Sequence, residues 1–356
     1  MFKEYYNVIG VMSGTSLDGV DLACIKFNIS ERWTFEICQT ETISYPDNWQ
    51  DKLNNAIHFT TDELNELNLE YTRYLASIIS EFIIKHELSE IDAICSHGHT
   101  ILHQPQNGFT LQIGNLPLLG ELLNYKIVCD FRVQDVQLGG QGAPLVPIGD
   151  EILFSEYDYC LNLGGFSNVS FKEKDKRLAF DISPVNTVLN YYANELGFPY
   201  DDAGNIAKSG SIDLDLLKQL NEIDYYKAAY PKSLGMEFVN QTIFPLLHSF
   251  SIDNKDKMRT FVEHIAIQIA AVCVKPNAKL FVTGGGVYNR FLMQRLQLHL
   301  SAIDVVIPDD KTIQFKEALI FALLGVLKLR DEVNVLSSVT GAKVNHSSGT
   351  IYNELL

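Results

Sequence analysis

A glycine-rich turn near the start of the sequence could hold a phosphate group. It lies between two strand-like segments, and glycines at both ends permit a tight hairpin whose backbone N–H groups point at an anion. Thr15 and Ser16 would add hydroxyl donors, and Asp18 could reach a magnesium ion or its water shell. An ordinary polar strand turn explains this segment alone equally well. The predicted phosphate-binding residues are Gly14, Thr15, Ser16, Leu17, Asp18, Gly19, Val20 and Asp21, with Asp18 also the predicted metal ligand.

Two further glycine-rich turns occupy related places in the second half of the chain. Gly164-Gly165, with Asn168 close behind, follows a strand-like segment as the first turn does. Gly284-Gly285-Gly286 lies between a strand and a helix, where a nucleoside could approach the backbone and where the helix N-terminus is positive. Three such turns favour polyphosphate binding, with Asn289 as a further nucleotide contact. The sequence lacks a Walker A motif, which excludes a Walker-type nucleotide site.

Two carboxylates beside apolar segments could act as catalytic groups. Asp181 ends a predicted strand just before Pro184, and a carboxylate there suits a general base for a hydroxyl or water nucleophile. A helix N-cap is the alternative role for this aspartate. Glu317 stands at the front of a strongly apolar helix. From the sequence alone, complementing the helix dipole is the favoured interpretation of Glu317.

Three histidines, His97, His99 and His103, cluster where a predicted strand enters a loop. They lack an HExxH motif or a cysteine partner, so hydrogen bonds to a sugar or to backbone are favoured over zinc. His97 and Thr100 are the predicted sugar contacts of this segment.

The polar, glycine-rich stretch 130–144 supplies further candidates. Arg132 could bind a substrate carboxylate, because a guanidinium group binds carboxylate bidentately. An arginine–aspartate pair that braces the loop is an equally favoured interpretation. Asp130 and Gln141 complete the predicted substrate contacts.

The elements that must position these residues occur twice in the same order. Each half is predicted as β-β-β-α-β-α-β, with a glycine-rich turn between its first two strands. Strands that alternate with helices predict mainly parallel sheets with an antiparallel hairpin at one edge. The fold class is therefore α/β, a duplicated unit of two lobes that face an active-site cleft. We predict an N-terminal lobe at 1–135 and a C-terminal lobe at 136–356.

Helix signals are strongest at three places. A capping box of Thr60 and Glu63 opens a long helix with apolar residues at spacings of three and four. Further helices are predicted at about 234–250 and 255–275, the second of them ending before Pro276.

Composition limits the partners of the 356-residue chain. With 28 Lys and Arg against 44 Asp and Glu, its net charge of −16 repels nucleic-acid phosphates and anionic lipid. The longest apolar run, Ala318 to Leu327, is too short to span a bilayer. The first residues lack the pattern of a signal peptide, and six scattered cysteines without a CxxC pair indicate free thiols in a reducing compartment. We therefore expect a cytoplasmic protein without nucleic-acid or membrane partners.

The motifs occur in an order that closely resembles the anhydro-N-acetylmuramic acid kinase family. The resemblance extends over nearly the whole chain and rests on Gly10 to Asp21, Ser96-His97-Gly98, Leu111-Gln112-Ile113-Gly114, Asp130-Phe131-Arg132, Gly139 to Pro147, Leu161 to Ser170, Gly284 to Gly286 and Val339-Thr340-Gly341-Ala342. It implies the fold of the acetate and sugar kinase, heat-shock ATPase and actin superfamily, a two-lobed ribonuclease-H-like (actin-like ATPase) fold.

The resemblance also implies an enzyme, an ATP- and Mg²⁺-dependent carbohydrate kinase, and a homodimer. Water would attack the anomeric carbon of 1,6-anhydro-N-acetylmuramic acid while O6 takes the γ-phosphoryl group, giving N-acetylmuramic acid 6-phosphate and ADP in peptidoglycan recycling. Asp181 matches the family's catalytic aspartate, the base for that water. Glu317 matches a glutamate of the family's Glu-Ala-Leu motif, which favours a catalytic role for it.

Four positions that depart from the family pattern bear on which sugar the protein accepts. His99 stands at a usual glutamine, Ser183 and Val185 stand at usual glycines, and Met236 stands at a usual arginine. A kinase for a different anhydrosugar or amino sugar is therefore the first alternative. A non-catalytic ATP-driven clamp is the second, and the retention of Asp181 and Glu317 argues against it because a clamp needs neither.

Overall fold

The computed structural model of the chain describes residues 2–14 and 17–353, so the predicted phosphate ligands Thr15 and Ser16 lie outside the described residues. Its strands are β1 (Tyr5–Ser13), β2 (Val20–Ile29), β3 (Trp33–Ile43), β4 (Ala93–Gln104), β5 (Phe109–Ile113), β6 (Ile127–Cys129), β7 (Tyr159–Leu163), β8 (Phe166–Glu173), β9 (Lys176–Pro184), β10 (Lys279–Thr283), β11 (Asp304–Val306) and β12 (Thr350–Tyr352).

The helices lie between these strands, and they are more numerous than the repeated pattern predicts. They are α1 (Asp47–Asn55), α2 (Thr61–Lys85), α3 (Leu118–Leu123), α4 (Val133–Gln137), α5 (Pro147–Leu153), α6 (Asn186–Glu195), α7 (Asn205–Ser209), α8 (Leu214–Glu222), α9 (Asp224–Lys227), α10 (Met236–Phe238), α11 (Phe244–Ser249), α12 (Asn254–Val272), α13 (Arg290–His299), α14 (Asp310–Leu329) and α15 (Ser337–Thr340). Within the described residues, none of these helices combines the length and the apolar character needed to cross a membrane.

The chain forms two compact units with boundaries that differ from the predicted ones. One unit comprises Met1–Leu153 with Phe315–Leu356, and the other comprises Phe154–Gln314. The predicted division at 135/136 assigned the C-terminal residues to the second lobe. They belong to the first unit because β12 pairs with β6 antiparallel, with Thr350 opposite Cys129.

The two units share one strand order, which confirms the predicted α/β class and the duplication. The first sheet runs β12-β6-β4-β1-β2-β3, with β5 paired to β4, and the second runs β11-β10-β7-β8-β9. In each, the first strand lies centrally, with an antiparallel hairpin on one side. Parallel strands lie on its other side. The two sheets therefore have the arrangement expected of a duplicated actin-like ATPase unit.

Amphipathic helices cover the sheets where the apolar spacing predicts them. At the start of α2, Thr60 Oγ1 accepts from the Glu63 N–H over 3.4 Å while Glu63 Oε2 accepts from the Thr60 N–H over 2.7 Å, the predicted capping box. The buried face of α2 packs with the first sheet through Leu67, Tyr71, Leu75, Ile79, Ile9 and Val11. In the second unit, Phe261, Ile265 and Ile269 of α12 share a core with Leu161 and Leu163.

The helix predicted at 234–250 is broken into three pieces. A π-helical segment, Val239–Ile243, separates α10 from α11, which carries Pro245 in its first turn. Proline lacks the N–H of a regular helical bond and clashes with the preceding turn, so an uninterrupted helix cannot form here. The extra residue of a π-turn accommodates that interruption.

Two glycines allow α14 to pack closely on the first sheet. A Cβ at Gly10 of β1 would lie 2.0 Å from the Ala318 carbonyl oxygen, and a Cβ at Gly325 would lie 2.1 Å from Cys95 Sγ. Both distances are far below a van der Waals contact, so the helix can occupy this position only while both residues are glycine. The sequence motif around Gly10 therefore also serves the packing of α14.

We expect Gly10→Ala to lower the free energy of unfolding by about 1–3 kcal/mol, the usual cost of overpacking a filled core. Thermal unfolding of the purified variant measures this effect. Gly120→Ala in α3 is the matched control, because its Cβ would meet nothing closer than 3.4 Å and alanine favours a helix. Equal unfolding temperatures for Gly10→Ala and the unaltered protein would contradict the packing argument.

Candidate active site

The first glycine-rich turn joins β1 to β2, as predicted. Ser13 and Val20 are paired at the ends of the two strands, and residues 14–19 connect them. Gly19 lies so close to β3 that a Cβ would be 2.4 Å from the Ile43 carbonyl oxygen. Gly19 therefore packs directly against the end of β3, and its neighbour Asp18 is exposed to solvent.

Three carboxylates of the first unit interact electrostatically. Burial raises the pKa of Asp21 and the charge of Asp18 adds to that rise, although Thr42 Oγ1 donates to Asp21 Oδ1 over 2.6 Å. Glu317 is exposed to solvent, yet the protein packed around it raises the pKa of its carboxyl group. The positive charge of Arg132 opposes this rise, and the negative charge of Asp21 adds to it.

These carboxylates suit a magnesium ion bound together with phosphate. A divalent cation would relieve their mutual repulsion, and Mg²⁺ in kinases binds one or two carboxylates together with substrate phosphates and water. Among residues 2–14 and 17–353, no three His, Cys, Asp or Glu side chains are grouped closely enough to hold a metal by themselves. Asp18, Asp21 and Glu317 therefore fit a metal that arrives with its own phosphate ligands.

Glu317 begins a new helical segment within α14. Phe315 interrupts the helix with φ −112° and ψ 16°, so Glu317 lies in the first turn after the interruption. Its neighbour Lys316 forms a buried ion pair with Asp150 over 2.8 Å, which fixes the start of this segment. Both the dipole interpretation and a catalytic role remain compatible with this position.

Arg132 is held by two acceptors of its own unit. Its Nε donates to His97 Nε2 over 2.9 Å, and its Nη1 donates to the Gly142 carbonyl oxygen over 2.6 Å. Burial lowers the pKa of Arg132 to about 10, despite the charges of Glu317 and Asp135. Of the five N–H groups of a guanidinium, these contacts use two, so three N–H groups remain that could donate to a carboxylate.

His97 orients Arg132, a role that the sequence did not suggest. Its Nδ1 lies 2.9 Å from the Gly98 carbonyl oxygen and so carries the proton, while Nε2 accepts from Arg132. Burial lowers the pKa of His97 well below its usual range, and the nearby Arg132 lowers it further, so the ring is neutral. A sugar contact through a ring nitrogen would require one of these bonds to break.

The other predicted sugar contacts lie in the same unit as Arg132. Thr100 Oγ1 accepts from Gln112 Nε2 over 3.3 Å, and Asp130 Oδ1 accepts from Asn115 Nδ2 over 3.0 Å. The Gln141 side chain is exposed. Their contact with a sugar stays a prediction.

The second glycine-rich turn joins β7 to β8. The Gly164 carbonyl oxygen accepts from the Asn186 N–H over 3.3 Å at the start of α6, and Gly165 is exposed. Asn168 pairs with Asp181 across β8 and β9. Because opposite residues of an antiparallel pair project to the same face, the structure brings Asn168 and Asp181 together.

Asp181 is fixed from three directions. The Leu234 N–H donates to its Oδ2 over 2.8 Å, the Tyr225 hydroxyl donates to its carbonyl oxygen over 2.6 Å, and its own N–H donates to the Lys232 carbonyl oxygen over 3.1 Å. Lys232 Nζ in turn lies 4.6 Å from the centre of the Tyr225 ring. These contacts leave Oδ1 available to a ligand.

The environment of Asp181 favours proton transfer. Burial raises the pKa of its carboxyl group, an effect that the Leu234 N–H partly offsets. The alternative role as a helix N-cap is wrong, because α6 begins at Asn186 and Val185 precedes it. A positioned carboxylate with a raised pKa is the usual form of a general base.

A cavity of about 360 Å³ lies beside the third glycine-rich turn in the second unit. Its wall consists of Asn186, Leu189, Asn190, Pro199, Tyr200, Asp201, Asp202, Ala203, Gly285, Tyr288 and Asn289. The volume falls in the range of sites for small molecules, and the mixture of aromatic, amide and carboxylate groups suits a nucleoside. The predicted contacts Gly285 and Asn289 both line it.

The three glycines of this turn have different roles. A Cβ at Gly284 would lie 2.5 Å from Asn162 Oδ1, and one at Gly286 would lie 2.7 Å from Leu163 Cβ, so both are needed for packing. Gly285 is exposed, and the nearest atom to an added Cβ is 4.0 Å away. Gly285 is therefore the glycine that leaves room for a ligand.

Comparison with known proteins decides the family. The model of the family "Anhydro-N-acetylmuramic acid kinase" matches residues 6–354. The chain belongs to this family. A relative of that name from Sulfurimonas denitrificans is 34% identical over 98% of this chain and 100% of its own length. Relatives of the same name from Shewanella frigidimarina and Pasteurella multocida are each 35% identical, over 95% and 98% of this chain and 95% and 96% of their own lengths. The prediction of an ATP-dependent sugar kinase is confirmed.

Of the four positions that depart from the anhydro-N-acetylmuramic acid kinase pattern, only Met236 is exposed; His99, Ser183 and Val185 are buried. His99 Nδ1 lies 2.6 Å from Ser13 Oγ, which lies 2.6 Å from the Tyr45 hydroxyl. Ser183 Oγ lies 3.0 Å from Ser167 Oγ. Three of the departures are therefore accommodated inside the protein, and Met236 is the one of the four that is exposed to solvent.

Several contacts that shape the site were not predicted from the sequence. Tyr225 and Leu234 hold Asp181, and Asp135 bonds the Gly142 N–H of the loop next to Arg132 over 2.7 Å. The family motif at Val339–Ala342 was the one sequence feature that indicated a role for the C-terminal segment, which hydrogen-bonds to that loop.

Proposed function

We propose that this protein phosphorylates 1,6-anhydro-N-acetylmuramic acid at O6 while water opens the 1,6-anhydro ring, giving N-acetylmuramic acid 6-phosphate and ADP. The observation that carries the proposal is Asp181, whose Oδ2 accepts from the Leu234 N–H while Oδ1 remains available to activate water. Membership of the kinase family supports the substrate. We further propose that the protein acts in the cytoplasm, in peptidoglycan recycling, as a homodimer.

Asp181 acts as the base for water. The water oxygen forms a bond to the anomeric carbon, the bond between that carbon and O6 breaks, and O6 takes the phosphoryl group. The proton of the water passes to Asp181 Oδ1 and then to solvent. Because burial raises the pKa of Asp181, its carboxylate is a stronger base than an exposed aspartate, which aids removal of this proton.

The nucleotide and metal contacts come from the glycine-rich turns and the carboxylates described above. When bound, ATP would supply the γ-phosphoryl group and Mg²⁺ would neutralise charge on its phosphates. Gly285 and Asn289 line the cavity for the nucleoside. The turns at Gly14–Asp21 and at Gly164, Gly165 and Asn168 would bind phosphates, and Asp18, Asp21 and Glu317 would hold the metal or its water.

Arg132 binds the carboxylate of the lactyl group. Its Nε and Nη1 are fixed by His97 and Gly142, which orients the remaining N–H groups. A fixed guanidinium forms two parallel hydrogen bonds with a carboxylate and so discriminates against sugars that lack one. Thr100, Asp130 and Gln141 supply further hydrogen bonds to the sugar.

Release of ADP with a panel of sugars tests this function. With ATP and Mg²⁺, we expect turnover with 1,6-anhydro-N-acetylmuramic acid and at least about tenfold lower kcat/KM with 1,6-anhydro-N-acetylglucosamine, which lacks the lactyl carboxylate. The reverse order would favour a kinase for another anhydrosugar, the alternative that exposed Met236 supports. ADP release that is independent of any sugar would contradict both.

The dependence of kcat/KM on pH should report the ionisation of the Asp181 carboxyl group. Its carboxyl group must be ionised to accept a proton, so activity falls as the pH falls through its pKa. Because burial raises that pKa, we expect the acid limb above about pH 4, the ordinary range of aspartate. Initial rates between pH 4 and pH 8 measure it, and a profile that stays flat down to about pH 4 would contradict the role of a buried base.

A further inference from the structure

The family motif at the C-terminus, Val339-Thr340-Gly341-Ala342, has no part in the proposed reaction, yet its threonine is buried against the loop that holds Arg132. Thr340 is 1% exposed, and its Oγ1 donates to Asp135 Oδ1 over 2.7 Å. The other carboxylate oxygen, Oδ2, accepts from the Gly142 N–H over 2.7 Å. Asp135, itself fully buried, therefore links Thr340 to Gly142.

The loop 138–142 is joined to the C-terminal segment at two further points. The Gln141 N–H donates to the Thr340 carbonyl oxygen over 2.8 Å, and the Lys343 N–H donates to the Leu138 carbonyl oxygen over 3.2 Å. A Cβ at Gly140 would lie 2.2 Å from Asp135 Oδ2, so the loop wraps closely around this carboxylate. His346 Nε2 lies 3.6 Å from Asp135 Oδ1 on the other side.

The same loop sets the orientation of Arg132. The Gly142 carbonyl oxygen accepts from Arg132 Nη1 over 2.6 Å, while the Gly142 N–H is bound by Asp135. Both backbone polar groups of Gly142 are therefore bound. Its carbonyl oxygen accepts from Arg132, and its N–H donates to the carboxylate that Thr340 holds. A guanidinium can meet a carboxylate with two parallel bonds only while its plane is fixed.

We propose that Thr340 is a positioning residue for recognition of the substrate carboxylate, acting through Asp135 and Gly142 on Arg132. It touches no substrate itself. The inference rests on the proposed function, in which Arg132 binds the lactyl carboxylate. It predicts that losing the Thr340 hydroxyl weakens binding of carboxylate-bearing sugars and leaves nucleotide binding unchanged.

The test compares Thr340→Val, which removes the hydroxyl at nearly constant shape, with Thr340→Ser, which retains it. We expect Thr340→Val to raise KM for 1,6-anhydro-N-acetylmuramic acid roughly tenfold, the scale of one hydrogen bond to a charged group, with KM for ATP unchanged. Thr340→Ser should restore most of the loss. Thr72→Val is the control, because Thr72 is also buried but its Oγ1 donates to the Asn68 carbonyl oxygen within α2.

A sugar whose lactyl carboxylate is converted to the neutral amide separates the proposed role of Arg132 from the positioning role of Thr340. If the unaltered enzyme does not prefer the acid over the amide, the proposed role of Arg132 fails. If it does, Thr340→Val should reduce that preference. An undiminished preference in Thr340→Val, or equal increases in KM for sugar and ATP, would overturn the positioning role and leave the proposed function standing.

A measurement on the unaltered protein covers the case in which Thr340→Val does not fold. Hydrogen exchange of the Gln141 and Gly142 amides reports the bonds to Thr340 and Asp135 directly. We expect the acid sugar to slow their exchange at least several-fold more than the amide sugar does, because only the acid engages Arg132. Identical protection by the two sugars would overturn the proposal.

Discussion

Asp181→Asn should lower kcat by at least about a hundredfold, because asparagine cannot accept the proton of the attacking water. The substitution is nearly isosteric, and the bond from the Leu234 N–H can still form to its side-chain oxygen. Nucleotide binding should stay normal, since the cavity beside Gly285 does not include residue 181. Steady-state turnover, together with titration of a non-hydrolysable ATP analogue, measures both quantities.

Asp213→Asn is the matched control for this substitution. Asp213 lies in the same unit and caps α8, accepting from the Leu216 N–H over 2.8 Å, and asparagine caps a helix about as well as aspartate does. This variant should retain full turnover. Near-normal turnover of Asp181→Asn would remove Asp181 from the mechanism.

Glu263→Gln should lower the free energy of unfolding by about 3–5 kcal/mol, the cost of breaking a buried ion pair. Arg295 donates to both carboxylate oxygens over 2.7 Å, Arg259 donates over 2.9 Å and His299 over 2.7 Å. Burial alone would raise the pKa of Glu263, yet these donors lower it to about 2. Glutamine would leave two arginine charges between α12 and α13 without a counter-charge, and chemical denaturation measures the loss.

Glu70→Gln is the control for the charge change. Glu70 pairs with Lys52 on the surface, where both side chains are largely exposed, so its loss should cost less than about 1 kcal/mol. The stabilising effect of Glu263 should also disappear with acid, as the pH falls from the ordinary glutamate range towards about 2. Equal stability of the two variants at neutral pH would show that the Glu263 cluster contributes no more than a surface pair.

The repeated strand order was predictable because it follows from local patterns. Apolar runs and turn residues mark each strand, and the capping box of Thr60 and Glu63 marks the start of α2. The three glycine-rich turns were found because a turn needs its glycines within a few residues. The break at Pro245 could also have been read from the proline itself.

Contacts between distant residues were not predictable from one sequence. Thr340 and Asp135 are 205 residues apart, and Tyr225 lies 44 residues from Asp181. No local pattern distinguishes these side chains from other polar or aromatic ones. The same reason explains the wrong boundary at 135/136, since the pairing of β12 with β6 joins the end of the described chain to its first unit.

The mass of the sugar product tests the central claim most directly. We expect that incubation with ATP, Mg²⁺ and 1,6-anhydro-N-acetylmuramic acid yields ADP and a sugar heavier by one phosphoryl group and one water. In water enriched with ¹⁸O, the label should enter the sugar and not the phosphate. A phosphorylated sugar that retains its anhydro ring, or ADP with labelled inorganic phosphate alone, would contradict it.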